Sequence, residues 1–328
     1  WQVFVLYGMI YAIGHAGSSV TSVGVMVSRW FSHRRGVANS VATSGNAIGQ
    51  LVVIIALGSS LATIGWRWAY ASLGLTNLAV VVPLVLAIVR PPPLSGLDID
   101  RGAASAKVEA GRDSSQRSLI AISPGHLAGD AQYPAKVLGS RKFWFLAVVY
   151  GICGFQDFFV MTHVVAFADD QGMGSAMAGN MFGLMGAMGL LGLMASGVLA
   201  DTFGASRPAA LCFLIRVFIF GSIICFQGTV GIMAFALLYG FTFLITAPLA
   251  MVFTANIFGT DRLGTVGSLI NMIHQISGGL GAVVGALIFD HLGSYNLAFA
   301  LMLCLAVVAT VASLMVSDRH KAHAVTAA

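Results

Sequence analysis

The chain has 328 residues, of which 58% are hydrophobic and only 9% charged, and its mean hydropathy is +0.88. A soluble domain carries roughly a quarter charged residues, so composition excludes an ordinary water-soluble protein and implies an all-α, polytopic membrane protein. The net charge of +5 does not imply a nucleic-acid partner, because the cations gather in particular loops, as they do where membrane orientation is encoded.

A helix needs about 20 apolar residues to cross the hydrocarbon core. Nine such spans are predicted, near residues 2–27, 37–62, 66–89, 142–167, 176–200, 207–227, 230–257, 265–289 and 295–316. In the first, Tyr7, Tyr11, His15, Ser18, Ser19 and Ser22 recur every three or four residues and share a helical face. Arg29, His33, Arg34 and Arg35 follow in a cationic hinge. The second span carries a polar stripe of Asn39, Thr43, Asn46 and Gln50, with Gly45 and Gly49 spaced for close helix packing. Residues 91–140 open with three prolines and are rich in Ser, Gly, Ala and charge, which predicts a flexible linker.

The fourth span contains Gln156, Asp157 and His163. Asp157 is the one acid well inside any predicted span. Polar groups at membrane depth are costly and tend to face a cavity or a partner. Desolvation at that depth favours the neutral form of such a carboxyl, which suits proton uptake and release. A histidine has an ordinary pKa near neutrality, so Asp157 and His163 are both candidate coupling groups. The loop after the fifth span holds Gly197, Asp201, Gly204 and Arg207; Asp201 and Arg207 are placed to pair at the membrane surface. Arg216 lies within the sixth span, as a structural charge or an anion-binding one. Tyr239, Thr242 and Thr246 share a face of the seventh span, followed by Pro248, which is expected to kink it. Asn271, His274 and Gln275 share a face of the eighth and can donate hydrogen bonds to a carboxylate. The four cysteines lie in apolar runs without metal spacing and read as small buried side chains. No cofactor or metal is expected.

A repeat at a spacing of 228 residues relates Gly36 to Gly264 and Gly65 to Gly293, matching spans 1–3 to spans 7–9. The motif Arg29-Trp30-Phe31-x-x-Arg34-Arg35-Gly36-x-Ala38, with Gly45 and Gly49 after it, resembles the junction of helices 4 and 5 in the major facilitator superfamily. It looks most like the monocarboxylate-transporter and oxalate/formate-exchanger branch. Gly197-x-Leu199-Ala200-Asp201-x-x-Gly204-x-x-Arg207 resembles that superfamily's loop between helices 8 and 9. The resemblance implies a two-bundle fold with nine of twelve helices present, numbered 4 to 12, and three missing ahead of Trp1. Residues 1–90 would be the second half of the N-terminal bundle, 91–140 a cytoplasmic linker, 141–318 the six-helix C-terminal bundle and 319–328 a cytoplasmic tail.

The resemblance further implies a secondary transporter in the plasma (inner) membrane, not an enzyme, working by alternating access. A small organic anion such as a monocarboxylate, moved with protons, is the expected cargo; an exporter of amphipathic drugs or metabolites is the alternative. The expected partners are the lipid bilayer, the substrate, protons and the missing helices of the same protein, with no nucleic acid. The pathway would be lined by Tyr11, His15, Asn46, Gln50, Gln156, Asp157, His163, Tyr239, Asn271, His274 and Gln275, with Arg34, Arg35, Gly197, Asp201, Gly204 and Arg207 gating. Charge alternation puts the loops near 33, 115, 204 and 262, and the C-terminus, in the cytoplasm. One departure stands out: carriers of that branch place a cation on helix 8, and residues 176–200 hold no Arg or Lys.

Overall fold

The computed structural model describes residues 1–2, 4–17, 19–31, 34–88, 137–259 and 263–316. Those residues are helical and turn, with no strand among them. A π-helical segment, Phe4–Tyr11, leads into α1 (Ala12–Gly17) and α2 (Val20–Trp30). Then come α3 (Arg35–Thr76), a π-helical segment (Asn77–Val81) and α4 (Val82–Ile88). Beyond residue 136 lie α5 (Arg141–Asp170), α6 (Ser175–Phe203), α7 (Ser206–Cys225), α8 (Thr229–Phe243), α9 (Thr246–Phe258), α10 (Leu263–Leu292) and α11 (Asn296–Met315).

Among the described residues, seven stretches are long and apolar enough to cross a membrane: Arg67–Ala87, Arg141–Asp170, Met177–Phe203, Ser206–Cys225, Thr229–Phe258, Leu263–Leu292 and Asn296–Met315. The first predicted span, 2–27, is not one continuous helix. α1 ends at Gly17 and an extended Ser19 (φ −66°, ψ 161°) stands before α2; glycine and serine support helix poorly. Residues 37–62 are helical within α3, which is kinked at Gly65, where φ is +73° and ψ 160°. The seventh predicted span is broken between α8 and α9 at Leu244–Ile245. Pro248 sits in the first turn of α9, where its missing N–H is harmless, and its ring disfavours a straight run back through Leu244.

Two compact units emerge. One comprises Trp1–Ile55 with Ser140–Ala328, the other Ala56–Gly139. Within the first unit, α2 packs on α9 and α10 and so joins residues 1–55 to the later helices. Residues 91–136 of the expected linker and 319–328 of the expected tail lie outside the described residues. Within the second unit, Arg67–Ala87 keeps most of its apolar surface exposed, with Trp68, Leu78 and Leu86 outward and Ala69 buried.

In the first unit, α5 runs along α10, α7 along α11 and α6 along α8. The α5–α10 seam is close enough that a Cβ on Gly154 would collide with the His274 carbonyl, and one on Gly281 with the Phe155 carbonyl. Small residues allow such approach between membrane helices. An aromatic core fills the space among α5, α7, α8 and α11: Phe167 and Phe299 lie 5.0 Å apart, and Phe220 and Phe235 flank Tyr239 at 5.6 and 5.7 Å. This core holds one end of α5 rigidly while its middle turns toward a cavity.

Candidate functional site

The cavity has a volume of about 600 Å³. His15, Ser19 and Thr21 line it from the N-terminal segment, Thr43 from α3, Tyr150, Asp157, Phe158 and Met161 from α5, and Asn271, His274 and Gln275 from α10. Three apolar side chains, Phe243, Leu244 and Met251, complete the wall around the α8–α9 break. The spacing i, i+3, i+4 puts Asn271, His274 and Gln275 on one face, and that face is the cavity wall.

Asp157 is the centre of the site. Its Oδ1 lies 2.9 Å from Arg216 Nη2 and accepts a hydrogen bond from the Tyr239 hydroxyl at 2.8 Å. Its Oδ2 accepts from Cys153 Sγ at 3.2 Å and faces His274 Nε2 at 3.8 Å. Its side chain is 7% exposed and lines the cavity, while Arg216 behind it is fully buried. Arg216 is held at every edge: Nε donates to Thr242 Oγ1 (3.3 Å), Nη1 to Gln156 Oε1 (3.1 Å), and Nη2 to the Thr242 carbonyl (3.2 Å). Its guanidinium also lies 4.7 Å from the centre of the Tyr239 ring, within cation–π range.

Of the two roles expected for Arg216, the arrangement shows the structural one: its donors are taken up by Asp157, Gln156 and Thr242. Asp157 in turn has a counter-charge and three further polar groups around it. A buried pair of this kind is costly to assemble, but removing one partner costs more, about 3–5 kcal/mol.

The remaining predicted residues divide by position. Gln156 and Tyr239 are fully buried behind Asp157, with Gln156 Nε2 donating to the Met302 carbonyl at 2.9 Å. Neither lines the cavity. His163 also stands away from it: 8% exposed, it meets the Ala282 carbonyl at 2.9 Å and the Tyr295 hydroxyl at 3.3 Å, packed against Phe159. Six residues beyond Asp157, a helix has turned through about 600°, so the two side chains leave α5 on different faces. Tyr11 stacks on His15 at 5.8 Å and is itself exposed. The side chains of Asn46, Gln50 and Arg35 lie outside the described set.

Far from the cavity, Asp201 holds the start of α3. Its two carboxylate oxygens accept the Gly36 N–H at 2.7 Å and the Val37 N–H at 3.0 Å, an arrangement favoured by the positive end of the helix dipole. Gly36 and Gly197 make this possible: a Cβ on Gly36 would lie 2.6 Å from the Gly197 carbonyl oxygen, and one on Gly197 2.5 Å from Ser40 Oγ. Gly204, at φ +78°, ends α6. The expected Asp201–Arg207 pair does not form, since Asp201 is engaged with α3 and Arg207 is exposed. Arg34, exposed and at φ +53°, precedes the helix.

Sequence reasoning missed Cys153, which had read as a small buried hydrophobe. Its position four residues before Asp157 was the available signal, because i and i+4 share a face. It also missed the backbone donors at Gly36 and Val37, which no side-chain pattern announces.

A model of the Major Facilitator Superfamily matches residues 1–282 and again 146–328. The uncharacterised transporter YcxA of Bacillus subtilis is 24% identical over 320 residues, covering 90% of this chain and 67% of that protein. The transporter pytF of Aspergillus terreus is 26% identical, covering 54% of this chain and 50% of its own. Monocarboxylate transporter 12-B of Danio rerio is 23% identical, covering 91% and 64%. The chain thus spans between half and about two thirds of the length of these relatives. Among solved structures, the Escherichia coli fucose:proton symporter shares the fold, with a TM-score of 0.59 and 16% identity over 86% of this chain and 69% of that one. The matches are transporters and not enzymes, and the family match runs the length of the sequence: the chain belongs to the Major Facilitator Superfamily.

Proposed function

We propose that the protein moves a small organic anion such as a monocarboxylate across a membrane, together with protons, by alternating access around the 600 Å³ cavity. The observation that carries this reading is the line His274–Asp157–Arg216, which runs from the cavity wall into the buried core. An anion entering the cavity meets the amides of Asn271 and Gln275 and the His274 imidazole, all hydrogen-bond donors in the appropriate state. Because Arg216 supplies the buried charge that holds Asp157, the exchangeable proton sits between His274 and Asp157 at the cavity edge, and His163 has no part in it. Monocarboxylate transporter 12-B and the fucose:proton symporter, similar in sequence and in fold respectively, are consistent with both halves of the reading.

Alternating access needs a seam that can close and open. The contact between Asp201 of α6 and the start of α3 is the gating contact we assign, with Gly36 and Gly197 permitting its close approach. We assign that seam to the cytoplasmic side of the plasma membrane, a reading the cationic loops support. The contact is lost when the cavity opens toward the cytoplasm.

A second reading, export of amphipathic compounds, is favoured by Phe158, Met161, Phe243 and Met251 on the same wall, since methionine side chains adapt to varied ligands. Uptake of labelled monocarboxylates into vesicles carrying the protein, with and without an imposed pH gradient, separates the two. Gradient-driven uptake supports the anion reading; gradient-independent movement of apolar dyes with no carboxylate uptake supports the other.

A further inference from the structure

Cys153, Asp157 and His274 offer one soft, one hard and one borderline donor within 4.8 Å of one another. We propose that these three side chains form a binding site for a thiophilic divalent metal ion of the zinc class, open to the cavity. A tetrahedral zinc ion bonded to sulfur, imidazole nitrogen and carboxylate oxygen holds those donors roughly 3.4–3.6 Å apart. The observed separations are 3.2 Å between Cys153 Sγ and Asp157 Oδ2, and 3.8 Å between Asp157 Oδ2 and His274 Nε2. Small side-chain rotations therefore suffice to bring all three onto one ion, without movement of either helix.

The surroundings supply what a bound ion needs. Asp157 uses Oδ1 for Arg216 and Tyr239, which orients the carboxylate and directs Oδ2 at the site. Such outer contacts are the usual means by which metal ligands are aimed. Arg216 Nη1 lies 4.0 Å from Cys153 Sγ, so the sulfur is held between the guanidinium and the Asp157 carboxylate. Thr246 Oγ1, 3.1 Å from the same sulfur, lies on the cavity wall beside it. Thiolate, carboxylate and guanidinium together carry one negative charge, so a divalent ion leaves the site singly positive. The fourth position faces the cavity, where water or an anion completes the shell.

Sulfur selects the metal class. A thiolate with an imidazole suits zinc and its spectroscopic substitute cobalt, whereas magnesium and calcium take oxygen ligands. The expectation of no metal rested on spacing within single elements. Here two ligands come from α5 and one from α10, more than a hundred residues apart in sequence, so no local motif exists.

The test is titration of the full chain, purified in detergent micelles, with Co²⁺ and then Zn²⁺. The expected result is a sulfur-to-cobalt charge-transfer band that saturates at one equivalent and is erased by Zn²⁺. Cys153→Ser removes the band, and His274→Ala weakens Co²⁺ binding by roughly 10- to 100-fold or more, since even outer-shell changes cost that much. The double variant Cys225→Ser/Cys304→Ser keeps the band. Zn²⁺ also raises the thermal midpoint of the wild-type chain, as any ligand selective for the folded state does, and leaves that of His274→Ala unchanged. Absence of the band in the wild type, or its persistence in Cys153→Ser, overturns the proposal. Should Cys153→Ser fail to fold, His274→Ala, altered at the cavity face, decides alone: wild-type affinity there is equally contradictory.

Discussion

Asp157 and Arg216 meet at 2.9 Å although 58 residues separate them in the chain, and neither could be tolerated at that depth without the other. The pair joins α5 to α7 beneath the cavity floor. Asp157→Asn or Arg216→Met alone leaves one buried charge uncompensated and is expected to cost about 3–5 kcal/mol. The double variant recovers most of that loss, because matched apolar or neutral replacements of a buried pair approach neutrality. Thermal melting in detergent reads this directly; a double variant as unstable as the singles would show that the pair is not what holds this region.

The α5–α10 seam predicts a steric outcome. Gly154→Ala puts a methyl group into the His274 carbonyl, which is backbone and cannot rotate away. Overpacking of this kind costs about 1–3 kcal/mol, and here it also displaces His274 from Asp157. A lowered melting midpoint with altered cavity function is expected; an unchanged protein would mean that the helices lie further apart.

At the other end, Asp201→Ala removes the acceptor for two N–H groups at the start of α3. Loss of a helix cap costs about 0.5–2 kcal/mol, and the partly exposed setting of Asp201 favours the lower half of that range. Asp201→Asn keeps one acceptor and should behave in between. Cysteine-accessibility labelling at Ser40, shielded in this state, should rise in Asp201→Ala and much less in Asp201→Asn. Equal labelling in all three would remove the seam's gating role.

His163 carries the opposite prediction. Its ring bridges the Ala282 carbonyl and Tyr295 beside an aromatic cluster, away from the cavity. His163→Gln, which can replace one of those hydrogen bonds, should lower thermal stability while leaving the pH profile of uptake unchanged. A shifted profile would return His163 to the pathway.

Much of this organisation was legible from residue pattern. Gly65 and Gly293, paired by the 228-residue repeat, both adopt positive φ, +73° and +62°; a recurrent glycine marked a recurrent break because other residues resist that conformation. Asn271, His274 and Gln275 declared a common face by spacing alone. What spacing could not reveal was partnership between helices. Arg216 found Asp157, and Asp201 found the Gly36 amide, through packing that one-dimensional periodicity does not encode. The interruption at Ser19 was equally hidden, since hydropathy averages over the very glycines and serines that break the helix. Membership of one apolar span likewise says nothing of face: the six residues between Asp157 and His163 turn the two side chains to different sides of α5.

The central claim is that His274 and Asp157, at the cavity edge, couple a proton to the movement of an anion. Its most direct test is pH-gradient-driven monocarboxylate uptake into vesicles carrying wild-type, His274→Gln or Asp157→Asn protein, each confirmed as folded by its melting curve. Both variants are expected to lose gradient-driven accumulation at least tenfold, while His274→Gln retains gradient-independent exchange. Full gradient-driven accumulation by either variant would contradict it.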